Sequence, residues 1–263
     1  MTDDRLKFSL LELSGISDEG TEFIPLMSKE DEEQMYKEQT PDELPLLPVR
    51  NIVLFPGVVI PITVGRDKSI KLIKDAYEGD KLIGVIAQRD QSHEDPQPEN
   101  LFEIGTIAKI LKMLKMPDGS STIIIQGMRR VRIKEITQTD PYFKAKVEVF
   151  TKEEKKPADR KFTALVDSIK ELALQIINDS SHIPSEASIA IKNIDSPVFL
   201  INFISANMQA PVKEKQALLE ISGIVDRATV LLKHLTKELQ MLEIKNDIQS
   251  KVRTDIDRQQ REY

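Results

Sequence analysis

The residues able to do covalent or metal chemistry are few and scattered. The chain has no cysteine and three histidines, His93, His182 and His234, which fall in a polar loop, near a helix end and within a long helix. Zinc and similar ions need several ligands converging at short range, and this spacing supplies none. The lack of cysteine removes thiolate nucleophiles and disulfides and fits a reducing compartment. No Gly-x-x-x-x-Gly-Lys-Ser/Thr loop is present to cradle phosphates, and no Gly-x-Gly-x-x-Gly turn to hold a dinucleotide. No Gly-x-Ser-x-Gly elbow marks a serine nucleophile. The sequence therefore assigns no catalytic, cofactor-binding or metal-ligating residue.

Two groups of residues could instead bind. The run RRVRIK at 129–134 is the one concentrated basic feature, and it could meet phosphates. Its alternation sets Arg130, Arg132 and Lys134 on one strand face, opposite Val131 and Ile133, so it reads as the solvated face of an amphipathic strand. The second group is apolar and sits beside turns. Phe55 and Val58 flank a Pro56-Gly57 reversal, and Met113 and Met116 lie next to the turn MPDGS at 116–120. Methionine adapts to varied partners, which makes such positions candidate contacts.

These residues need elements to position them. Residues 44–50 and 58–64 alternate β-branched and proline residues and read as strands, with Pro45, Pro48 and Pro61 at edges or ends where no ladder donor is needed. Ile70, Ile73, Ala76 and Tyr77 follow at helical spacing, with Asp67 as the expected N-cap and Gly79 as the stop. Residues 82–87 return to strand. The stretch 104–116 and residues 122–126 form a hairpin about the 116–120 turn. Val131, Ile133 and Ile136 mark a further strand, and Ala145, Val147 and Val149 alternate with charged residues in another. Residues 44–151 thus predict a mostly antiparallel β domain carrying one helix.

The charged, proline-terminated linker 152–157 separates that region from one with helical periodicity. Phe162, Leu165, Val166, Ile169, Leu172, Ala173 and Ile176 form a wide apolar stripe, and shorter helices are expected around 198–206 and 212–220, with Pro197 and Pro211 at their starts. A helical bundle over 157–222 is the result. From Gly223 to Tyr263 there is neither proline nor further glycine, which predicts one helix of about 40 residues. Leu232, Leu235, Leu239 and Leu242 give its first half a packed seam, whereas 246–262 is polar on nearly every face and should project. The helix has no stop signal at Tyr263 and is expected to continue into a further module.

Charge is unevenly placed. Residues 1–43 hold about −9 against a net charge of −6, so the remainder is about +3. This acidic leader is expected to be mobile, since it offers few apolar anchors against ordering entropy. The most apolar run, 52–62, is broken by Pro56, Gly57 and Pro61 and is far short of the roughly 20 residues that span a bilayer. With an acidic start and no apolar targeting segment, the expected location is cytoplasmic, with no membrane partner.

Residues 44–70 (LPLLPVRNIVLFPGVVIPITVGRDKSI) resemble the opening block of the N-terminal region of Lon proteases. The resemblance continues in 102–119 (FEIGTIAKILKMLKMPDG), 123–133 (IIIQGMRRVRI), 214–220 (EKQALLE) and 257–263 (DRQQREY), in the family's order. It implies an α+β fold, in which a PUA-like β pseudo-barrel is followed by a helical bundle and a long helix leading to an ATPase module. The parent it implies is a homohexameric, ATP-dependent serine protease whose ATP and Mg²⁺ site and Ser-Lys dyad lie beyond Tyr263. This portion would then be no enzyme and would take no cofactor. Its role would be to recognise unfolded or degron-bearing proteins, and Phe55, Val58, Met113 and Met116 become candidate substrate contacts. The alternative is a nucleic-acid-binding module using Arg130, Arg132 and Lys134.

Overall fold

The computed structural model describes residues 40–117, 119–150, 159–184 and 186–261, together with Glu32, Met35 and Lys37. Residues 1–31, for which mobility is expected, and the linker 152–157 lie outside the described residues, as does Asp118 of the hairpin turn.

Alternating and β-branched residues form six strands: β1 (Glu43–Val49), β2 (Val59–Val64), β3 (Leu82–Ala87), β4 (Ile104–Lys115), β5 (Ser121–Gln138) and β6 (Lys144–Val149). The 18-residue β5 joins what the sequence divides into two strands. Its length closes the sheet. Residues 121–126 pair with β2 while 131–138 pair with β6, and β4 runs along both parts. Because β6 also pairs with β1, and β1 with β3, the strands β5, β4, β3, β1 and β6 form a ring with β2 attached outside it. All pairings are antiparallel except β1 with β3. Ring closure leaves fewer exposed strand edges, the general benefit of a barrel. Pro48 lies in β1 past the residues paired with β6, and Pro61 lies in the outer strand β2, positions where a missing N–H breaks no ladder.

Helix α1 (Asp67–Glu78) packs Leu72, Ile73 and Ala76 against Ile62, Ile110, Ile123 and Ile125. Its N-cap position is Arg66, without a side-chain cap, and Asp67 is the first helical residue rather than the cap. On the other side of the sheet Met35 joins Leu44, Ile107, Met128 and Val131 in a small core, and its carbonyl accepts a 3.3 Å bond from Arg129 Nη2.

Five helices follow: α2 (Arg160–Asp179), α3 (Glu186–Asn193), α4 (Pro197–Asn207), α5 (Val212–Glu220) and α6 (Ile224–Arg261). The stripe Phe162, Val166, Ile169, Ala173 and Ile176 is buried against α6 and α4. Helix α4 is apolar all round and buried over nearly its whole length, as a central helix must be. Ser196 caps it through its Oγ, which accepts from Phe199 N at 3.2 Å, and Pro197 is its first residue; Pro211 stands at the N-cap position of α5 instead of inside it. The 38-residue α6 is about 57 Å long. Ile224, Ala228, Leu231, Leu235 and Leu239 are buried along its first half. Past Leu242 every described side chain is exposed, among them Ile244, Ile248 and Val252. The projecting half thus carries apolar residues as well as polar ones.

Barrel and helices share one core. Phe55, Val58, Ala87 and Ile104 of the β region pack into the same cluster as Phe199, Leu218 and Ala228. Strand and helix regions, successive in the chain, thus meet in one apolar cluster.

Candidate functional site

Near the seam between barrel and helices, the last turn of α5 exposes backbone carbonyls that its own helix cannot bond. Arg130 and Arg227 answer them. Arg130 Nη1 donates to the carbonyls of Leu219 and Ile221, and its Nη2 reaches Ser222 O at 3.4 Å. Arg227 Nη2 donates to Ile221 O at 2.8 Å and its Nη1 to Asn202 Oδ1 at 3.1 Å. Asn202 Nδ2 in turn donates to Pro56 O, and Gln216 Nε2 to Ile104 O. Two guanidinium groups at a helix C-terminus also oppose its negative end charge. The seam is therefore bonded through polar groups as well as packed.

This geometry corrects the reading of the basic strand. Arg130 is 2% exposed and belongs to the seam, whereas Arg132 and Lys134 remain in solvent. The expected solvated face is broken because α5 covers its first residue. Arg132 lies over the Phe150 ring at 5.3 Å, with Arg130 at 5.2 Å from the same ring, and Lys134 pairs with Glu148 at 2.6 Å. That pairing, helped by the nearby Arg132, holds the Glu148 carboxyl below the usual range.

Two of the candidate apolar contacts are likewise interior. Phe55 is 0% exposed and Val58 4%, both in the shared core. Gly57, at φ 82°, makes the reversal between them, and its N–H bonds Gly127 O. A Cβ on Gly127 would meet Phe55 O at 2.3 Å, so this turn lies directly on β5. A proline-glycine reversal in sequence says that the chain turns but not what it turns against.

The other two candidates lie on an arm where β2, residues 121–126 of β5 and residues 109–115 of β4 run side by side. Directly opposed residues in antiparallel strands share a face. The rows Ile110–Ile125–Ile60 and Met113–Ile123–Ile62 therefore face inward, toward α1. Met113 is half-buried there, packed on the barrel core. Met116, at the hairpin end, is 44% exposed and bonds Ser120 O through its N–H.

The outward rows are Lys109–Gln126–Val59, Lys112–Ile124–Pro61 and Leu114–Thr122–Thr63. Thr63 and Thr122 hydroxyls bond each other at 2.8 Å. Val59, Ile124 and Leu114 are half-buried, and none belongs to the three apolar cores. Leu111 is the extra residue of a bulge between Ile110 and Lys112, and it is 46% exposed. Among the described residues, β4 beyond Ile110 has β5 on one side and no strand on the other, since β3 pairs with it only over residues 106–109. Among the described residues β2 also has an open side, but Pro61 interrupts its row of donors. An unguarded edge beside apolar side chains can accept an extended chain through main-chain bonds, with side-chain contacts adding breadth. Sequence alternation misses Leu111, Leu114 and Ile124 because the bulge shifts the pattern of inward and outward residues.

Among the described residues no group of histidine, cysteine or acidic side chains could hold a metal ion, and no helix is long and apolar enough to cross a membrane.

Residues 43–237 match the family model described as the ATP-dependent protease La (LON) substrate-binding domain. The chain is 56% identical over 246 residues to a Lon protease of Flavobacterium johnsoniae, covering 94% of this chain and 30% of that protein. It is 51% identical over 245 residues to one from Cytophaga hutchinsonii, with 93% and 30% covered. It thus spans about 30% of the length of these relatives. Among solved structures it resembles the N-terminal domain of a Mycobacterium avium complex Lon protease, with TM-score 0.60 and 21% identity over 74% of this chain and 98% of that one. It also resembles a Lon N-terminal domain protein from Xanthomonas campestris, with TM-score 0.54, 17% identity, and 73% and 97% covered. The expected α+β pseudo-barrel and helical bundle is the fold of those domains, and by its matched residues and its relatives the chain belongs to the Lon protease substrate-binding domain family.

Proposed function

We propose that this chain captures unfolded or degron-bearing polypeptide for a cytoplasmic, homohexameric, ATP-dependent serine protease that removes misfolded and short-lived proteins. The ATP and Mg²⁺ site and the Ser-Lys dyad belong to other parts of that protein, and this portion works without a cofactor or a catalytic residue of its own. The observation that carries the reading is the arm: among the described residues, Leu111, Leu114 and Ile124 stand outside the three cores, next to an open edge of β4. Such a surface suits a receptor that must accept many sequences, because main-chain bonds are common to all of them. One module should hold a segment at about micromolar to millimolar strength, roughly −8 to −4 kcal/mol, and several modules on one ring would add avidity.

The nucleic-acid alternative loses its central cation, because Arg130 is spent on the seam and Lys134 is paired. The two readings differ in salt response, since phosphate binding falls steeply as counterions are released. In a titration with a permanently unfolded protein, Leu111→Ser/Leu114→Ser should weaken capture about tenfold, and Met116→Ser less. Unchanged capture by the folded double variant would remove the arm from the reading. Single-stranded RNA binding that collapses with salt, beside no interaction with unfolded protein, would replace the reading altogether.

A further inference from the structure

We infer that a small cleft at the N-terminus of α1 binds the free carboxylate of a polypeptide's last residue, an inference that rests on reading this chain as a receptor for polypeptide. The cleft lies between α1, β1, the loop at Asp95 and the turn 139–143 that precedes β6. Buried Leu46, Pro48, Leu72 and Pro96 make its floor, and exposed Lys68, Asp95 and Thr139 stand at its rim.

Two kinds of donor are left open there. Helix α1 has no side-chain cap at Arg66, and the N–H groups of Asp67, Lys68 and Ser69 donate to no described acceptor. These are the groups that a helix start turns toward an anion, together with the positive end of its dipole. The second, independent observation is Ser69. It is 6% exposed and lines the cleft, yet among the described residues its hydroxyl has no hydrogen-bond partner. Buried hydroxyls are normally satisfied, and an acceptor brought into the cleft would satisfy this one.

The ionisable groups lining the cleft leave one positive charge to spare. Arg66 holds its place by donating from Nη1 to Glu94 O at 2.9 Å and from Nη2 to Pro48 O at 3.0 Å. Burial, and then the neighbouring Arg50, lower the Arg66 pKa from its usual value, against the pull of Asp95. Asp95 is the one carboxylate in the lining, and Lys68 Nζ already bonds both of its oxygens, at 3.1 and 3.0 Å. Asp67 and Glu94 are exposed and do not line the cleft, and the Tyr142 hydroxyl donates to Asp75 Oδ2 at 2.9 Å.

Size and floor identify the occupant. The cleft encloses about 30 Å³, room for two or three water-sized groups, which suits a carboxylate and neither a nucleotide nor a run of main chain. An inorganic anion would use the donors but gain nothing from Leu46 and Leu72. A terminal residue with a small apolar side chain uses both, and its carboxylate receives charge-assisted bonds from the helix start.

The test uses the 263-residue chain and three disordered peptides of one sequence: one ends in valine as the free acid, one is amidated, and one is amidated but carries an internal Glu. At constant ionic strength the free acid should bind about tenfold more tightly than the other two and should shift the amide resonances of Asp67, Lys68 and Ser69. Ser69→Ala should weaken the free acid about threefold, and Ser69→Val, which fills the cleft, should erase the preference, each with an unchanged circular dichroism spectrum. Equal binding of the three peptides, or shifts that spare residues 67–69, would end the inference, as would folded Ser69 variants that keep the full preference. If Leu111→Ser/Leu114→Ser still weakens capture of unfolded protein in that event, the receptor reading survives the loss of the cleft. If the preference holds while the leucine variant captures unfolded protein as before, the cleft stands and the arm fails. Inorganic phosphate that moves the same three resonances at lower concentration than the peptide acid would make this an inorganic-anion site and overturn the inference.

Discussion

The hairpin of β4 and β5 is one element with two fates. At its root, Thr106, Arg130 and Val131 are all buried, although Arg130 and Val131 point to opposite faces. Thr106 Oγ1 donates to Leu54 O at 2.6 Å, and Arg130 donates to the end of α5. At the tip only the inward rows are covered, by α1, while the bulge residue Leu111 and the outward Lys112 stay in solvent. Both ends alternate in the same way along the chain. The difference teaches that alternation sorts side chains to faces, while the elements packed on each face decide what burial means.

The contrast can be broken most forcefully at the root. Phe55→Ala should cost about 3–5 kcal/mol, because it empties a fully enclosed position shared by barrel and helices. In thermal unfolding this is a drop of roughly 10 °C; a shift of only a degree or two would mean that the seam is looser than its burial indicates.

A sharper version compares two arginines two residues apart. Arg130→Met should cost about 2–3 kcal/mol, since it leaves carbonyls of α5 without charged donors. Arg132→Met should stay within about 0.5 kcal/mol, as expected for an exposed residue. Equal losses in urea unfolding would place Arg130 in solvent. At the tip, Leu111→Ser should also change stability by no more than about 0.5 kcal/mol. A larger loss would show that the bulge residue is part of a core.

The smallest effect is a pH response on the helical side. Burial raises Glu238 above the usual carboxylate range, against a backbone bond from Gln209 and the charge of Lys215, and burial lowers Lys215. A carboxyl raised on folding binds more protons folded than unfolded, so its contribution to stability falls as pH rises from 4.5 through the raised value. Relative to Glu238→Gln, the unsubstituted chain should lose about a degree or less of thermal stability between about pH 4.5 and pH 7.5. A constant difference between the two proteins would remove Glu238 as the titrating group.

Much of this architecture can be read from residue order alone. Prolines at 45, 48 and 61, glycine at 57 and 79, and the leucine spacing of α6 place most elements, because backbone preferences act locally. The misses depend on distant partners. The short α3 buries only Ile191 and so has little periodicity to reveal it. β5 looks like two strands because Gly127 interrupts its apolar run, yet the glycine is there to let Phe55 approach. Of the candidate contacts, Phe55, Val58 and Arg130 belong to the seam and Met113 faces inward, while Met116, Arg132 and Lys134 remain at the surface. Leu111 and Leu114 become visible only once the bulge sets the register.

The half-packed α6 has a mechanical consequence. Its root is clamped, with Ala228 and Leu231 in the shared core, Arg227 bonded to Ile221 O and Asn246 Nδ2 donating to Asp179 O, while the helix runs on for about 30 Å from Leu242 to Arg261 with every described side chain past Leu242 exposed. A rigid rod held at one end is a lever. Tilting the barrel by about 10° would carry the far end of the rod sideways by about 5 Å, and a pull at the far end would return to the barrel as torque. A tug exerted by anything joined to that helix would be felt across the seam, on the same hairpin whose tip is proposed to hold the polypeptide.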